Sequence, residues 1–511
     1  MADRNLSPIR GEEKQTKLPD DLSPPESELE GGINIESVIN EKSLLRKIDI
    51  KLLPAVGILY LLSFLDRSNV GNAKIEGLAK DLNMTGNQYL TGLTLYFIGY
   101  VLFEVISPTE MFSRATLTLS LEQIPCNIIL KRTSPRLWLP TLTIAWGIVA
   151  TLMGVVHNLA GFFVARLFLG ITESGLFPGV VFYFSMWYRR RERQFRISLF
   201  FSAAALAGSF GGILAYGIGF MKGTVWANGW HWIFILEGLA TIVVAVAAYW
   251  FIYNYPDTAQ FLTDKERAFV RARLAADSDA THDEAFTWGN VLTALKDPKC
   301  WLCHVVPSVS ADLQEQPTII SALGYTAANA QLLTIPPYAF AFVTTLTIAS
   351  LSERLNQRGL FIAGSASFAA VGYAILLGNT DPVGRPGVSY AGTFFAAGGI
   401  YPATALSLSW PAINVSGQTK RAVANAMQIS IGNLGAVLGT QLYRALDGPR
   451  YVVGHSFALG YLLGNVVVSG LLYWVLKREN EKRDSTAAEV REVGELTDWR
   501  GDEDPRWRFQ I

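Results

Sequence analysis

Four ionisable residues stand inside stretches of the 511-residue chain that otherwise carry no charge. Asp66 and Arg67 lie in SFLDRSNVGNA at the end of an apolar block, and Arg166 and Glu173 lie in RLFLGITESGLFPG. Seven residues is two helical turns, so on one helix Arg166 and Glu173 point the same way, about 10.5 Å apart along the axis. A charge at the centre of a bilayer costs about 2.5 to 3.5 kcal/mol on insertion scales, so such groups need mutual pairing or a function. Two readings are open. In one, Asp66 with Arg67 and Arg166 with Glu173 are structural pairs that hold helices together. In the other, the arginines bind an anionic substrate while Asp66 and Glu173 take up protons. Low dielectric favours a neutral carboxyl and a nearby cation favours the carboxylate, which makes proton and anion uptake interdependent.

Tyr96 and Tyr100 are four apart and share a helix face, where they line a cavity or form a packing stripe. Glu104 and Glu237, the latter in GWHWIFILEG, fall near the ends of their blocks and read as helix-contact or interface residues. Cys300-Trp-Leu-Cys303-His304 has the spacing of a haem attachment site. It is discounted, as are zinc and redox roles, because it lies in an apolar run beside a charged loop with no second ligand nearby. Asn83-Met-Thr85 is a glycosylation sequon within a few residues of an apolar block. GSFGGILAYGIG (208–219) has no Lys and no preceding strand, so it is a surface for close helix packing rather than a phosphate loop. No catalytic residue, cofactor or metal is expected.

The elements that hold these residues follow from composition. Half of the residues are apolar and 17% are charged, against about 25% in a typical soluble domain. The apolar residues fall in blocks of about 18 to 25, long enough to cross a hydrocarbon layer about 30 Å thick. Spans are expected at about 50–66, 88–106, 137–156, 159–185, 197–220, 231–253, 331–351, 359–378, 388–410, 421–444 and 452–476, with a weak candidate at 299–325. The chain therefore reads as an all-α, polytopic membrane protein in a lipid bilayer. The balance of 43 basic and 43 acidic residues argues against nucleic acid as a partner, and three cysteines are too few for a disulfide framework.

Residues 1–45 are polar and read as a disordered tail with no apolar signal-peptide core. A hydrophilic stretch at 254–298 separates two halves, 46–253 and 299–476, and a second polar tail covers 477–511. Basic residues concentrate in KRTSPR (131–136), WYRRRERQFR (187–196) and KRENEKR (477–483), which places both termini and the central loop in the cytoplasm. SERLNQRG (352–359) occupies in the second half the place of KRTSPR in the first, as in the internal repeats of secondary transporters.

These segments together resemble the major facilitator superfamily, and within it the anion:cation symporters, which include fungal allantoate, nicotinate and pantothenate permeases. The resemblance is carried by LDRSNVGNAKI (65–75), ARLFLGITESGLFPG (165–179), MWYRRRERQFR (186–196), GWHWIFILEG (229–238), GYTAANAQLLTIPPY (324–338) and TKRAVANAMQISIGNLGAVLGTQLY (419–443). It implies twelve transmembrane helices in two six-helix bundles rocking about a central site. It further implies proton-coupling roles for Asp66 and Glu173, carboxylate-binding roles for Arg67 and Arg166, a substrate-facing Tyr100, and cavity positions for Gln428 and Asn433. The expected activity is proton-driven symport of a small organic anion, such as a vitamin-like or ureide monocarboxylate, by a monomer in the plasma membrane. Proton-driven exporters of drugs or metabolites carry a proline in a glycine-rich fifth-span motif, and AALAGSFGGILAYGIGF (204–220) has none. A non-transporting nutrient receptor would need a large cytoplasmic signalling segment, for which 254–298 and 477–511 are short.

Two stretches depart from the family pattern. VISPTEMFSRATLTLSLEQ (105–123) separates FE from IPCN, begins with Val, whose codons start GT, and ends with Gln, which CAG encodes; it reads as a retained intron. In the seventh span, ten largely apolar residues from Cys300 to Val309, about 15 Å of helix, run into SADLQEQ. That pattern reads as a splice error at 305–316, leaving an atypical helix and a chain that transports poorly as written.

Overall fold

A computed structural model describes residues 39–105, 133–221, 228–277, 292–293, 295–297, 301, 316–416, 418–493 and 507–511. Among these the regular elements are helices: α1 (Glu41–Ile75), α2 (Leu78–Asp81), α3 (Gly86–Val105), α4 (Pro135–Met153), α5 (Leu159–Glu173), α6 (Leu176–Ser185), α7 (Arg190–Gly219), α8 (Gly229–Phe251), α9 (Asp264–Asp277), α10 (Gln316–Ala322), α11 (Ala327–Leu355), α12 (Arg358–Gly378), α13 (Pro386–Asn414), α14 (Gln418–Thr440) and α15 (Val452–Val493). Among the described residues eight spans are long and apolar enough to cross a membrane: α1, α4, α5 with α6, α7, α8, α11, α12 and α15. With α3, α13 and α14 they coincide with the eleven firm spans read from the sequence, as a multi-pass membrane protein requires. The twelfth is represented by α10 alone. Residues 299–300 and 302–315, the Cys300 to His304 motif apart from Trp301, all but Val105 of 105–123, and all but Gln316 of 305–316 lie outside the described residues.

The helices are sorted by polarity from the inside out. α8 buries Glu237 and Thr241 and turns Val243, Trp250 and Phe251 outward, the arrangement lipid demands. α1 packs on α7 and α8, α3 on α5, and α4 on α8 and α5; α12 packs on α13 and α15, and α11 on α13. The two groups meet where α7 contacts α11 and α13, and where α3 contacts α14. The glycine-rich stretch acts there as expected: a methyl group on Gly212 of α7 would fall 2.6 Å from the Gln331 carbonyl of α11.

Bonds between the groups tie α1 and α7 to α11, and α3 to the end of α14. Gln331 Nε2 donates to Glu76 Oε1 at 3.2 Å, Ser209 Oγ donates to the Ile335 carbonyl at 3.2 Å, and Gln441 Nε2 donates to Thr94 Oγ1 at 2.6 Å. At the opposite end α9 is clamped to the bundle, so the middle of the hydrophilic stretch is an ordered helix. Thr263 and Glu266 form its capping box, Lys47 Nζ lies 2.8 Å from Glu266, and Arg273 bonds both Glu41 and Glu192. Burial opposes ionisation of Glu266, but Lys47 and the Thr263 amide outweigh it and hold the carboxyl below its ordinary range.

α1 starts at Glu41, inside the stretch read as a disordered tail, because Asn40 Oδ1 caps the Lys42 and Ser43 amides. Residues 507–511 fold back from α15 onto α12 and α13. The Ile511 carbonyl accepts from the Arg358 amide at 2.6 Å, the Gln510 carbonyl accepts from Trp410 Nε1 at 2.9 Å, and Trp507 and Phe509 are buried.

Candidate functional site

The fourth span is not one helix. Pro178 lacks an amide hydrogen and its ring excludes a helical carbonyl four residues earlier, at Ser174. The helix accordingly breaks at Ser174 and Gly175 and leaves Glu173 as the last residue of α5. On its other side α5 lies against α3 so closely that a methyl group on Gly170 would fall 2.0 Å from the Tyr96 carbonyl. That contact brings the tyrosine face of α3 up to the charged face of α5.

Among the four charges, the pairing differs from the structural pairs considered on the sequence. Neighbouring residues on a helix diverge by about 100°, so Asp66 and Arg67 cannot meet. Arg67 Nη2 instead reaches across to Glu173 Oε1 at 2.6 Å, where Ser63 Oγ, one turn earlier on α1, also donates at 2.5 Å. Asp66 accepts from Thr241 of α8 at 2.9 Å. Arg166 is completely buried; its Nε donates to the Gly92 carbonyl at 3.3 Å, while Nη1 and Nη2 have no hydrogen-bond partner. A buried guanidinium with two idle nitrogens is costly unless a ligand answers it.

Aromatic rings complete the cluster. Tyr96 lies between the two arginines, with each guanidinium carbon 5.1 Å from its ring centroid. Arg67 is also 5.0 Å from the Phe64 ring and 5.8 Å from the Tyr100 ring. The two cations are thus within about 10 Å of each other, in a setting of low polarity where ring faces favour positive charge. Chemically, the cluster offers one cation already neutralised by a carboxylate and a second with planar donors free to take a carboxylate in bidentate fashion.

The expected residues are therefore distributed over three places. Arg67, Arg166, Glu173, Tyr96 and Tyr100 converge. Asp66 sits behind them on the α1 and α8 seam. Gln428 is buried on α14 and Asn433 half-buried on the same helix, which reaches the site's neighbourhood through its packing on α3. Glu237 makes the helix contact expected of it, accepting from Asn69 Nδ2 of α1 at 2.6 Å, but it is 3% exposed and lies within α8 rather than near its end. The Glu104 side chain lies outside the described residues. Ser63, Asn69 and Thr241 were not anticipated, although Ser63, Asp66, Asn69 and Asn72 recur every third residue and mark one polar stripe on α1.

Residues 56–440 match the family model described as Major Facilitator Superfamily. The MFS-type transporter cnsO of Penicillium expansum is 34% identical over 95% of this chain and 94% of its own length. The high-affinity nicotinic acid transporter of Saccharomyces cerevisiae is 32% identical over 91% of this chain and 83% of its own. Among solved structures, the proton:xylose symporter XylE bound to 6-bromo-6-deoxy-D-glucose aligns with a TM-score of 0.62 at 14% identity, over 83% of this chain and 96% of that one. A bacterial homolog of the lysosomal transporter Spinster, inward-facing and unoccupied, aligns at 0.59 and 15% identity over 83% and 95%. At such identities the structures bear on the fold alone.

Proposed function

The chain belongs to the major facilitator superfamily, and from that premise we propose that it is a proton-coupled symporter of the anion:cation type, which carries a small organic monocarboxylate across the plasma membrane. Transport, not catalysis, is the activity of the family. The observation that carries the finer reading is the Arg166 guanidinium, buried over Tyr96 with two nitrogens unpartnered, next to an Arg67 that is held by Glu173.

In this reading Glu173 is a switch on charge balance. A proton on Glu173 releases Arg67, and two cations then face a cavity with one carboxylate fewer, so an anion binds. Loss of the proton restores the Arg67 pair and expels the anion. Asp66 shares the proton-handling role from the seam behind, and Tyr96 and Tyr100 offer ring faces to a flat substrate. The relationship to a nicotinic acid transporter supports an aromatic monocarboxylate as the first candidate. Two six-helix bundles, 46–253 and 299–476, rock about this site, with both termini, the 254–298 connection and the 477–511 tail on the cytoplasmic side. The ion pairs that seat α9 support treating that face as the basic, inner one.

The test is binding of labelled monocarboxylates, nicotinate first, to the purified protein, together with their uptake by expressing cells at pH 5 and pH 7.5. Uptake should rise at the lower pH, and Arg166→Ala should abolish both binding and uptake. Binding and uptake indifferent to pH and to that substitution would overturn the proposal.

A further inference from the structure

Among the described residues no cation pairs with the carboxyl of Glu237. Its Oε2 accepts from Asn69 Nδ2 at 2.6 Å, but its Oε1 is buried without a partner, and so is Asn69 Oδ1. Asn69 is fully buried and Glu237 is 3% exposed, so water does not serve these two oxygens from outside. Both are acceptors as they stand. One proton on Glu237 Oε1 would turn the pair of idle acceptors into a donor and an acceptor and close the eight-membered ring that a carboxylic acid forms with an amide.

The neighbouring rung of the same seam holds a second acid. Thr241, one turn beyond Glu237 on α8, donates to Asp66, one turn before Asn69 on α1. The two carboxyls therefore occupy successive rungs, roughly 5 Å apart along the helix axes. α4 presents Gly147 and Thr151 to this stretch of α8 and has no charged residue beyond Arg136; α7 presents Ala215 and Ile218 and has none beyond Arg196. Arg67 and Glu173 answer each other on the other face of α1. Two adjacent carboxylates without a cation, out of water, repel strongly enough to keep one proton between them.

We propose that Glu237 is protonated in this conformation, as the acid half of a cyclic pair with Asn69, and that with Asp66 it forms a second proton-loading site separate from the arginine cluster. Loading takes one proton from water onto Glu237 Oε1, which donates to Asn69 Oδ1 while Asn69 Nδ2 continues to donate to Oε2. On unloading the proton returns to water, directly or by way of Asp66, so the seam carries one negative charge when loaded and two when empty. The role in transport rests on the proton-coupled reading above; the protonation state does not.

The test needs no substrate. Infrared spectra of the full chain in lipid nanodiscs at pH 7 should show a carboxylic C=O band that is lost in Glu237→Gln and kept in Glu266→Gln. Glu237→Gln should melt at the wild-type temperature, because its amide supplies the same donor and acceptor, whereas Glu237→Ala should melt lower. Should Glu237→Gln fail to fold, Asn69→Ala gives the second readout, since the acid band then shifts as it loses its amide partner. A spectrum in which neither substitution removes or shifts a carboxylic band overturns the assignment. Loss of the band with pH-indifferent uptake would leave the site standing and remove the symport reading; no band together with pH-driven uptake would do the reverse.

Discussion

Glu173→Gln separates charge from shape at the centre of the site. The wild-type Oε1 accepts from Arg67 at 2.6 Å and from Ser63 at 2.5 Å, and the glutamine oxygen can accept both. What disappears is the attraction between unit charges. With centres about 4 Å apart and an effective dielectric near 20, that attraction is about 4 kcal/mol. The Arg67 side chain is 14% exposed, so solvent reduces the figure, and about 2 to 4 kcal/mol is the range to expect. Freed from its carboxylate, Arg67 can spend that attraction on a bound anion, which tightens binding by about 30- to 1,000-fold. Equilibrium binding of the labelled monocarboxylate to purified wild type and variant, between pH 5 and pH 7.5, reads both consequences: a lower Kd and a Kd that no longer follows pH. In proteoliposomes the variant should exchange substrate for substrate but fail to accumulate it against a gradient when a proton gradient is imposed. An unchanged Kd that still follows pH would show that Glu173 does not govern Arg67, and the charge-balance mechanism would fall.

Two further outcomes probe the supports of the site. Gly170→Ala should lower the melting temperature in detergent by the equivalent of about 1 to 3 kcal/mol, because its methyl group would meet the Tyr96 carbonyl and the Tyr100 amide, while Gly57→Ala, with open space around it, should not. The Lys47 and Glu266 pair should make the α9 clamp sensitive to acid: a carboxyl held below its unfolded value of about 4.3 stabilises above that pH and loses the contribution as pH falls through the lower folded value. Protection factors of the α9 amides, taken relative to the intrinsic exchange rate at each pH, should therefore fall in acid, and Lys47→Met should flatten that dependence.

The spans were legible because lipid imposes a minimum length of apolar helix, and the four charges were legible because nothing near them in sequence is charged. Their partners were not. Arg67 and Glu173 are 106 residues apart, and only the approach of α5 to α1 makes them a pair. The depth of Glu237 was not legible, because a hydropathy boundary places it near an edge whereas burial depends on which neighbours cover it, here α1 and α4. Two features of the sequence do carry the site's local geometry. The three-residue rhythm of Ser63, Asp66, Asn69 and Asn72 winds a polar stripe around α1, past α5, α8 and α7 in turn, and Pro178 marks the break that ends α5 at Glu173.

The returning segment at 507–511 has a consequence for biosynthesis. Trp410 waits for the Gln510 carbonyl, 100 residues further along the chain. At about 5 to 20 residues per second, a ribosome needs roughly 5 to 20 seconds to supply it. During that interval α13 is already made, yet its indole N–H and the Asn414 amide lack their acceptor. A chain released before residue 507 would contain every described helix and still present an open seam. Such a chain would expose these donors, together with the apolar surface that Trp507 and Phe509 cover, with every described helix already in place.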